Sequence, residues 1–515
     1  MIISIELFMI FNPEYISNQF TNDLGWLPEV WLAVLILVLG TLIIVISVAA
    51  QSVPEIISLF FKSWISLSFL WLITISTIQS IIITIVENIP ISIIYFNTFI
   101  ILPFSLIISI PYVVINLQNI RPIKVINKIK LHNFYLLESI SKKSFQPLFE
   151  NPKIVSYIQE SKFETMNQLN DLFFYLNFQQ PKIQAIITVL EIYRYYIKIK
   201  RKIINLNYFN LADSIKSDNC FITSEKDYVE NVVAINNSFF EHKINKNLQA
   251  IVGEIIKTND QNASETILKE LKKTLKLSLH EKDNFNTAYI RKTINMIFHR
   301  YLNDDKNESL LWGFLLQYRY ILTTLIEENA FEEFENYLHY LNRAVNQISL
   351  KTYNNDFYSF SLIYTILRIT NLIIKNINDT NKNNINLQIK IMEYNYHIIN
   401  KAMKSEEYLE DKKRKFPGLR GAFFGLSIYL LQTKNKVLLN ESVKYYIALN
   451  KEPYESFEVY HNLILDWLEF NKDIETYGEA EPLFNINKFD DSVIEFKNLL
   501  TEKIIINNVL KKHFK

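Results

Sequence analysis

Few side chains in this sequence stand in patterns that catalysis needs, and each pattern has a plain structural competitor. His299 and Arg300 with Asp304 and Asp305 gather an imidazole, a guanidinium and two carboxylates at one helix end, a set able to move a proton. Positive side chains in a last helical turn are also what the helix dipole favours, so capping is the default. Glu458-Val-Tyr-His461 sets a carboxylate and an imidazole one turn apart, as in a bundle metal site. A di-metal centre needs a second copy and two further helical carboxylates; no second Glu-x-x-His occurs, so no metal is expected. Cys220, the single cysteine, has no histidine within its loop to draw off a proton and reads as an ordinary thiol. The densest glycines, Gly418, Gly421 and Gly425, are followed by no Lys-Ser/Thr pair and lie in an apolar helical stretch, where they permit close packing rather than phosphate binding. No catalytic residue and no cofactor emerges, and the chain leans away from being an enzyme.

Charge offers two further candidates. Lys412, Lys413, Arg414 and Lys415 could meet an anion, but Glu406, Glu407, Glu410 and Asp411 balance them, and a solvated loop is the simpler reading. Tyr193, Arg194, Tyr195, Tyr196, Lys198, Lys200, Arg201 and Lys202 interleave rings with cations, a mixture suited to nucleic acid or to an anionic membrane face, with an exposed helix face as the default. A net charge of +1 over 515 residues is not the balance of a nucleic-acid-binding chain, and no nucleic acid is expected as a partner.

The elements that must carry these residues fall into two kinds. Residues 31–50 and 63–86 hold no ionisable side chain, and the run after Glu87 stays uncharged as far as Arg121, interrupted by Pro90, Pro103 and Pro111. About 20 helical residues cross a hydrocarbon layer of about 30 Å, so the runs read as three transmembrane helices near 31–50, 63–86 and 91–115. The basic residues Lys62, Arg121, Lys124, Lys128 and Lys130 all fall on one side, which sets the amino terminus outside and the rest in the cytoplasm of a multi-pass cell-membrane protein. Folding the third run as a hairpin through Pro103 would give four spans instead. Trp26 and Trp31 suit the headgroup boundary.

Within the runs, Ala33, Gly40 and Ser47 make a small-residue stripe, and Ser66, Thr77, Ser80 and Thr84 fall near one face; both are expected to pack helices in the membrane. Pro103 is a hinge candidate, since it leaves a carbonyl one turn earlier without its donor. Arg121, Lys124, Lys128, Lys130, Arg194, Lys198, Lys200, Arg201 and Lys202 are membrane-surface candidates. No charge sits inside the runs, which argues against a secondary transporter.

The run from Leu39 to Trp71, with Ala49-Ala50-Gln51-Ser52, then Pro54, then Leu59-Phe60-Phe61-Lys62, resembles the amino-terminal unit of a family of uncharacterised bacterial predicted membrane proteins. The resemblance covers about residues 1–130; the family typically has a fourth span and a more basic elbow. It implies a location, a few spans joined to a soluble domain, and no functional residue.

From Leu131 onward breakers are scarce, with Gly253, Gly313, Gly418, Gly421, Gly425 and Gly478 the only glycines after Lys130. Ile187, Leu190, Ile192, Tyr196 and Ile199 recur at helical steps within 183–204, and Ser264 with Glu265 can cap a helix running through Leu275. Asn, Asp and Lys clusters at 303–308, 351–356, 378–384, 406–417 and 473–482 punctuate the remainder. The expected fold is all-α: an extracytoplasmic segment 1–29, a transmembrane unit 30–120, a juxtamembrane helical region 121–260, and a helical domain 261–515 of hairpins, open to being an irregular α-solenoid. The expected function is a membrane-anchored scaffold, sensor or effector platform that meets the lipid bilayer and a protein partner or itself; the alternative is an oligomeric channel.

Overall fold

A computed structural model describes residues 26–52, 64–85, 96–109, 121–175, 178–222, 224, 233, 235–303, 308–351, 356–379, 384–407, 417–450, 457–458, 461–462 and 488–513. Every described element is helical, so the all-α class holds among the described residues. The chain divides into two compact units, Met1–Ile251 and Val252–Lys515.

The first unit opens with helices α1 (Trp26–Ser52) and α2 (Trp64–Ile85), which pack on each other. Leu27, Trp31, Val34 and Val38 form the buried stripe of α1 and meet Phe69, Ile73 and Ile83 of α2 together with Leu102. Trp31 is fully buried, and its Nε1 donates to Asn97 Oδ1 at 2.7 Å. Asn97 belongs to a π-helical turn, Phe96–Ile101, that continues as α-helix to Ser109. Pro103 stands two residues after this turn; without an N–H it cannot bond the carbonyl one turn earlier, and a widened turn accommodates the missing bond.

The transmembrane expectation fails. Among the described residues no helix is long and apolar enough to cross a membrane. An uncharged run is not an apolar helix: α2 carries Ser66, Ser68, Thr74, Ser76, Thr77, Gln79, Ser80 and Thr84 along its length. Of the third run, the described residues 96–109 are helical, and 86–95 and 110–120 lie outside the described residues. The three spans, their four-span variant, the multi-pass cell-membrane location with its outside-to-cytoplasm orientation, the membrane-anchored platform and the channel are all withdrawn with it. Residues 1–25 of the amino-terminal segment, and 53–62 between the first two runs, lie outside the described residues.

The rest of the first unit is built from α3 (Pro122–Ser141), α4 (Pro152–Tyr175), α5 (Gln179–Lys200) and the start of α6 (Phe239–Thr258). Helices α3, α4 and α5 pack against one another. Helix α5 ends four residues before the sequence window suggested.

The second unit repeats one arrangement. Its helices are α7 (Gln261–His280), α8 (Asn284–Asn303), α9 (Glu308–Glu327), α10 (Phe331–Lys351), α11 (Asp356–Asp379), α12 (Ile385–Glu407), α13 (Pro417–Gln432), α14 (Lys436–Leu449) and α15 (Phe489–His513). Helices α7, α9, α11, α13 and α15 pack successively on one another, and α8, α10, α12 and α14 do the same. Hairpins α7/α8, α9/α10, α11/α12 and α13/α14 join the two layers. Four of the helix ends share one closure. Asn259, Lys282, Asn329 and Lys434 take φ of 50°, 51°, 57° and 56°. At each, the next residue's N–H reaches back five residues (Asp260 to Ile255, Asp283 to Ser278, Ala330 to Leu325, Asn435 to Leu430), closing a Schellman motif. Asp260, Asp283 and Asn435 then cap the following helix by accepting from Ala263, Asn286 and Leu438 N–H. Ser264, the expected cap, lies instead one turn inside α7 and shares a 2.8 Å hydrogen bond with Tyr301. Buried polar pairs recur between the hairpin helices: Ser278 with Thr287, Asn371 with Asn395, Ser427 with Ser442.

Candidate functional site

In the first unit, chemistry collects around Lys162. Val155, Gln159, Lys162, Met166, Leu169 and Phe173 follow three- and four-residue steps along α4 and are all buried, so the lysine occupies a core position. Its Nζ donates to Tyr208 Oη at 2.7 Å and stands 3.9 Å from the Phe240 ring centre and 4.4 Å from that of Tyr196. Phe239 and Tyr208 complete an aromatic cage. Lys200 bonds Glu241 Oε1, while Oε2, equally buried, has no hydrogen-bond partner. Burial pushes the Lys162 ammonium down to about 7, against the pull of Glu241, and Lys200 pushes the same way as burial. Burial, reinforced by Glu241, pushes the Tyr208 phenol well up, so it stays protonated. A neutral amine is a nucleophile, but Lys162 is 0 % exposed and rings close around it, so no substrate touches it. The cluster holds a buried charge in place.

Beside it, Lys243 grips Asp218 through both carboxylate oxygens at 2.8 Å. Burial alone would raise the Asp218 carboxyl; the Lys243 bonds outweigh it and the net shift is downward. His242 Nε2 is 3.0 Å from both Ser224 Oγ and the Cys220 carbonyl. A carbonyl only accepts, so this nitrogen carries the proton and cannot serve Ser224 as a base. Burial first, then Asp218, pushes the Cys220 thiol far up, which keeps it from being a thiolate.

The residues singled out in the sequence scatter. Ala33 is exposed and Gly40 half-buried, so α1 meets α2 through its large side chains and not through a small-residue stripe. Thr77, Ser80 and Thr84 bond back to the carbonyls of Ile73, Thr77 and Ile81 in their own helix. The side chains of Ser47 and Ser66 lie outside the described residues. Pro103 is exposed at the π-helical turn. Arg121, at the start of α3, and Lys124 and Lys128 on it are exposed, and Lys130 ties α3 to α5 through Glu191 at 2.6 Å. Lys198, Arg201 and Lys202 are exposed and Arg194 is half-buried, whereas Lys200 turns inward to Glu241. The lipid bilayer loses its support as a partner along with the spans. His299 contacts Asn303, and its expected companions Asp304 and Asp305, like Lys412, Lys413, Arg414 and Lys415, lie outside the described residues. His461 stacks on Phe457 and Phe489. Among the described residues no group of three His, Cys, Asp or Glu side chains could hold a metal.

The second unit gathers a different set along α8, α10, α12 and α14. Arg291 of α8 meets Glu333 of α10 at 2.6 Å. Lys390 of α12 meets Glu335 of α10 at 2.6 Å, and Tyr394 Oη lies 2.8 Å from the His339 ring. Tyr396 of α12 packs on Tyr445 of α14 with ring centres 5.1 Å apart. Burial, helped by neighbouring glutamates, raises the Tyr394 and Tyr445 phenols, and burial raises the Glu333 carboxyl despite Arg291. These contacts step from helix to helix along one layer. Sequence reasoning missed them because each pair is separated by about one repeat, with no local spacing to betray it.

No family model matches the chain, and no curated relative matches it. Among solved structures it is similar to a circular tandem repeat protein with novel repeat topology and enhanced subunit contact surfaces. That similarity has a TM-score of 0.31 and 11 % identity, covering 74 % of this chain and 99 % of that one, a level at which a shared fold does not follow.

Proposed function

We propose that the chain is a helical-repeat scaffold, an α-solenoid in its second unit, that binds a protein partner along the outward face of α8, α10, α12 and α14. Stacked helix pairs make long, continuous surfaces that no single helix offers. The observation that carries the reading is the strip of Tyr394, Tyr396, Tyr445 and His339 flanked by Arg291, Lys390 and Glu335 on that layer. Tyrosine and arginine supply most of the binding energy at protein interfaces, because they combine large contact area with polar ends. In the strip His339 is exposed and Tyr394, Tyr396 and Tyr445 are half-buried; on the layer of α7 and α9 Tyr320 is exposed, with Lys272 over its ring.

The test is parallel capture with three full-length proteins: wild type, a His339→Ala/Tyr394→Ala/Tyr445→Ala variant, and a Lys272→Ala/Tyr320→Ala variant. A protein retained by wild type and by the second variant but lost from the first supports the reading. Equal retention by both variants, at matched stability, sinks it.

A further inference from the structure

The two-helix opening of the first unit uses only one side of α2 for its own packing. Phe69, Ile73, Ser76, Thr77, Ser80 and Ile83 are buried. The other side shows Trp71, Ile75, Ile78, Ile82 and Ile85 at 59, 58, 52, 49 and 73 % exposure. These positions step by four, three, four and three residues, the a/d spacing of a coiled coil, and Leu72 and Ile81 beside them, also exposed, widen the apolar face. The positions flanking the seam, Leu72, Thr74, Gln79 and Ile81, carry no charge, so nothing selects a partner of opposite sign. The hydroxyls of Thr77, Ser80 and Thr84 are spent on their own helix, leaving shape and apolar area as the means of recognition.

Area points the same way. At roughly 200 Å² for a fully exposed side chain of this size, the five residues leave on the order of 600 Å² of apolar surface on one helix. That is the upper end of what monomers leave uncovered, about 300–600 Å², and approaches the about 800 Å² that each partner gives to a standard interface.

We infer that this seam is the contact through which copies of this chain associate, helix α2 against helix α2. Isoleucine stands at both seam registers, Ile75 and Ile82 at one, Ile78 and Ile85 at the other. Isoleucine in both registers favours three or four strands over two. The association thus closes as a small bundle of α2 helices. It is independent of the binding face on the second unit.

The experiment uses the full chain with Cys220→Ser, which removes the only cysteine. Ile78→Cys in this background should form an inter-copy disulfide under a mild thiol oxidant, and Thr84→Cys, exposed on the same helix but off the seam, should not. Light scattering of wild type should give three or four copies. Ile78→Glu, which sets a carboxylate from every copy into the contact, should return one copy with the same helical circular dichroism. The cysteine variant reads the contact without adding charge, so it decides the matter if the glutamate variant fails to fold. A wild-type mass of one copy overturns the inference. So does cross-linking of equal yield at both positions, an unchanged mass in Ile78→Glu, or a single copy that floats with phosphatidylcholine vesicles and has its seam covered by lipid.

Discussion

The Nζ of Lys162 stands 3.9 Å from the centre of the Phe240 ring, on a helix position that every neighbouring step along α4 reserves for an apolar or neutral residue. Such a group links stability to pH. Its folded value is about 7 against an ordinary 10.5. Below about 7 both folded and unfolded chains hold the proton, and the cost of the buried charge is present in full. Between the two values the unfolded chain holds a proton that the folded chain has released, so stability rises with pH, by up to about 1.4 kcal/mol per unit. The ring faces favour the ammonium and temper the rise. Lys162→Met should remove this rise, and denaturant unfolding of both proteins from about pH 6 to about pH 10 measures it. Parallel pH profiles would show that Lys162 does not titrate in the folded protein.

The non-glycine residues that close helices in the second unit carry a conformational cost. Lys434 holds a φ of 56° between α13 and α14 with no side-chain reason for it. Lys434→Gly should stabilise the chain by roughly 0.5–1 kcal/mol, and Lys434→Val should destabilise it by about 1–2 kcal/mol. Thermal melts of the two variants should move in opposite directions.

The polar core of the α11/α12 hairpin is a linked set. Asn395 Oδ1 accepts from Thr370 at 2.7 Å, its Nδ2 donates to Asn371 Oδ1 at 2.9 Å, and Asn371 Nδ2 reaches the Ala422 carbonyl on α13 at 3.1 Å. Asn395→Ala removes two of these bonds in a site closed to water and should cost about 1–3 kcal/mol by chemical denaturation. A loss within a few tenths would mean that water enters and replaces the amide.

Trp31 and Asn97 offer a test of the opening helices. Trp31→Phe leaves Asn97 Oδ1 buried without its donor and should lower stability by about 1–3 kcal/mol. Adding Asn97→Leu replaces the orphaned amide by an apolar group and should recover part of the loss. No recovery in the double variant would place the cost in packing rather than in the hydrogen bond.

Much of the second unit was legible because its loops are polar. The clusters at 303–308, 351–356, 378–384 and 406–417 coincide with the breaks around α9, α11, α12 and α13. The tighter turns at Lys282, Asn329 and Lys434 were not, since the usual mark of a left-handed closure is glycine and none stands there. The stacking of alternate helices has no signature in any single window, because its pairs lie about one repeat apart. Lys162 was findable: the steps from Val155 to Phe173 place it on the buried face, but a lone lysine reads as surface until that face is traced. The opening runs misled for a physical reason. Absence of charge is not apolarity: the serines, threonines and Gln79 of α2 interrupt its apolar face, and among the described residues no helix is long and apolar enough to cross a bilayer.

The central claim, a partner held along one layer of the second unit, is tested most directly by amide hydrogen exchange of the full chain with and without the captured partner. The account predicts slower exchange in peptides from α10, α12 and α14 and no change in α7 and α9. Protection confined to α7 and α9, or none in the second unit, would contradict it.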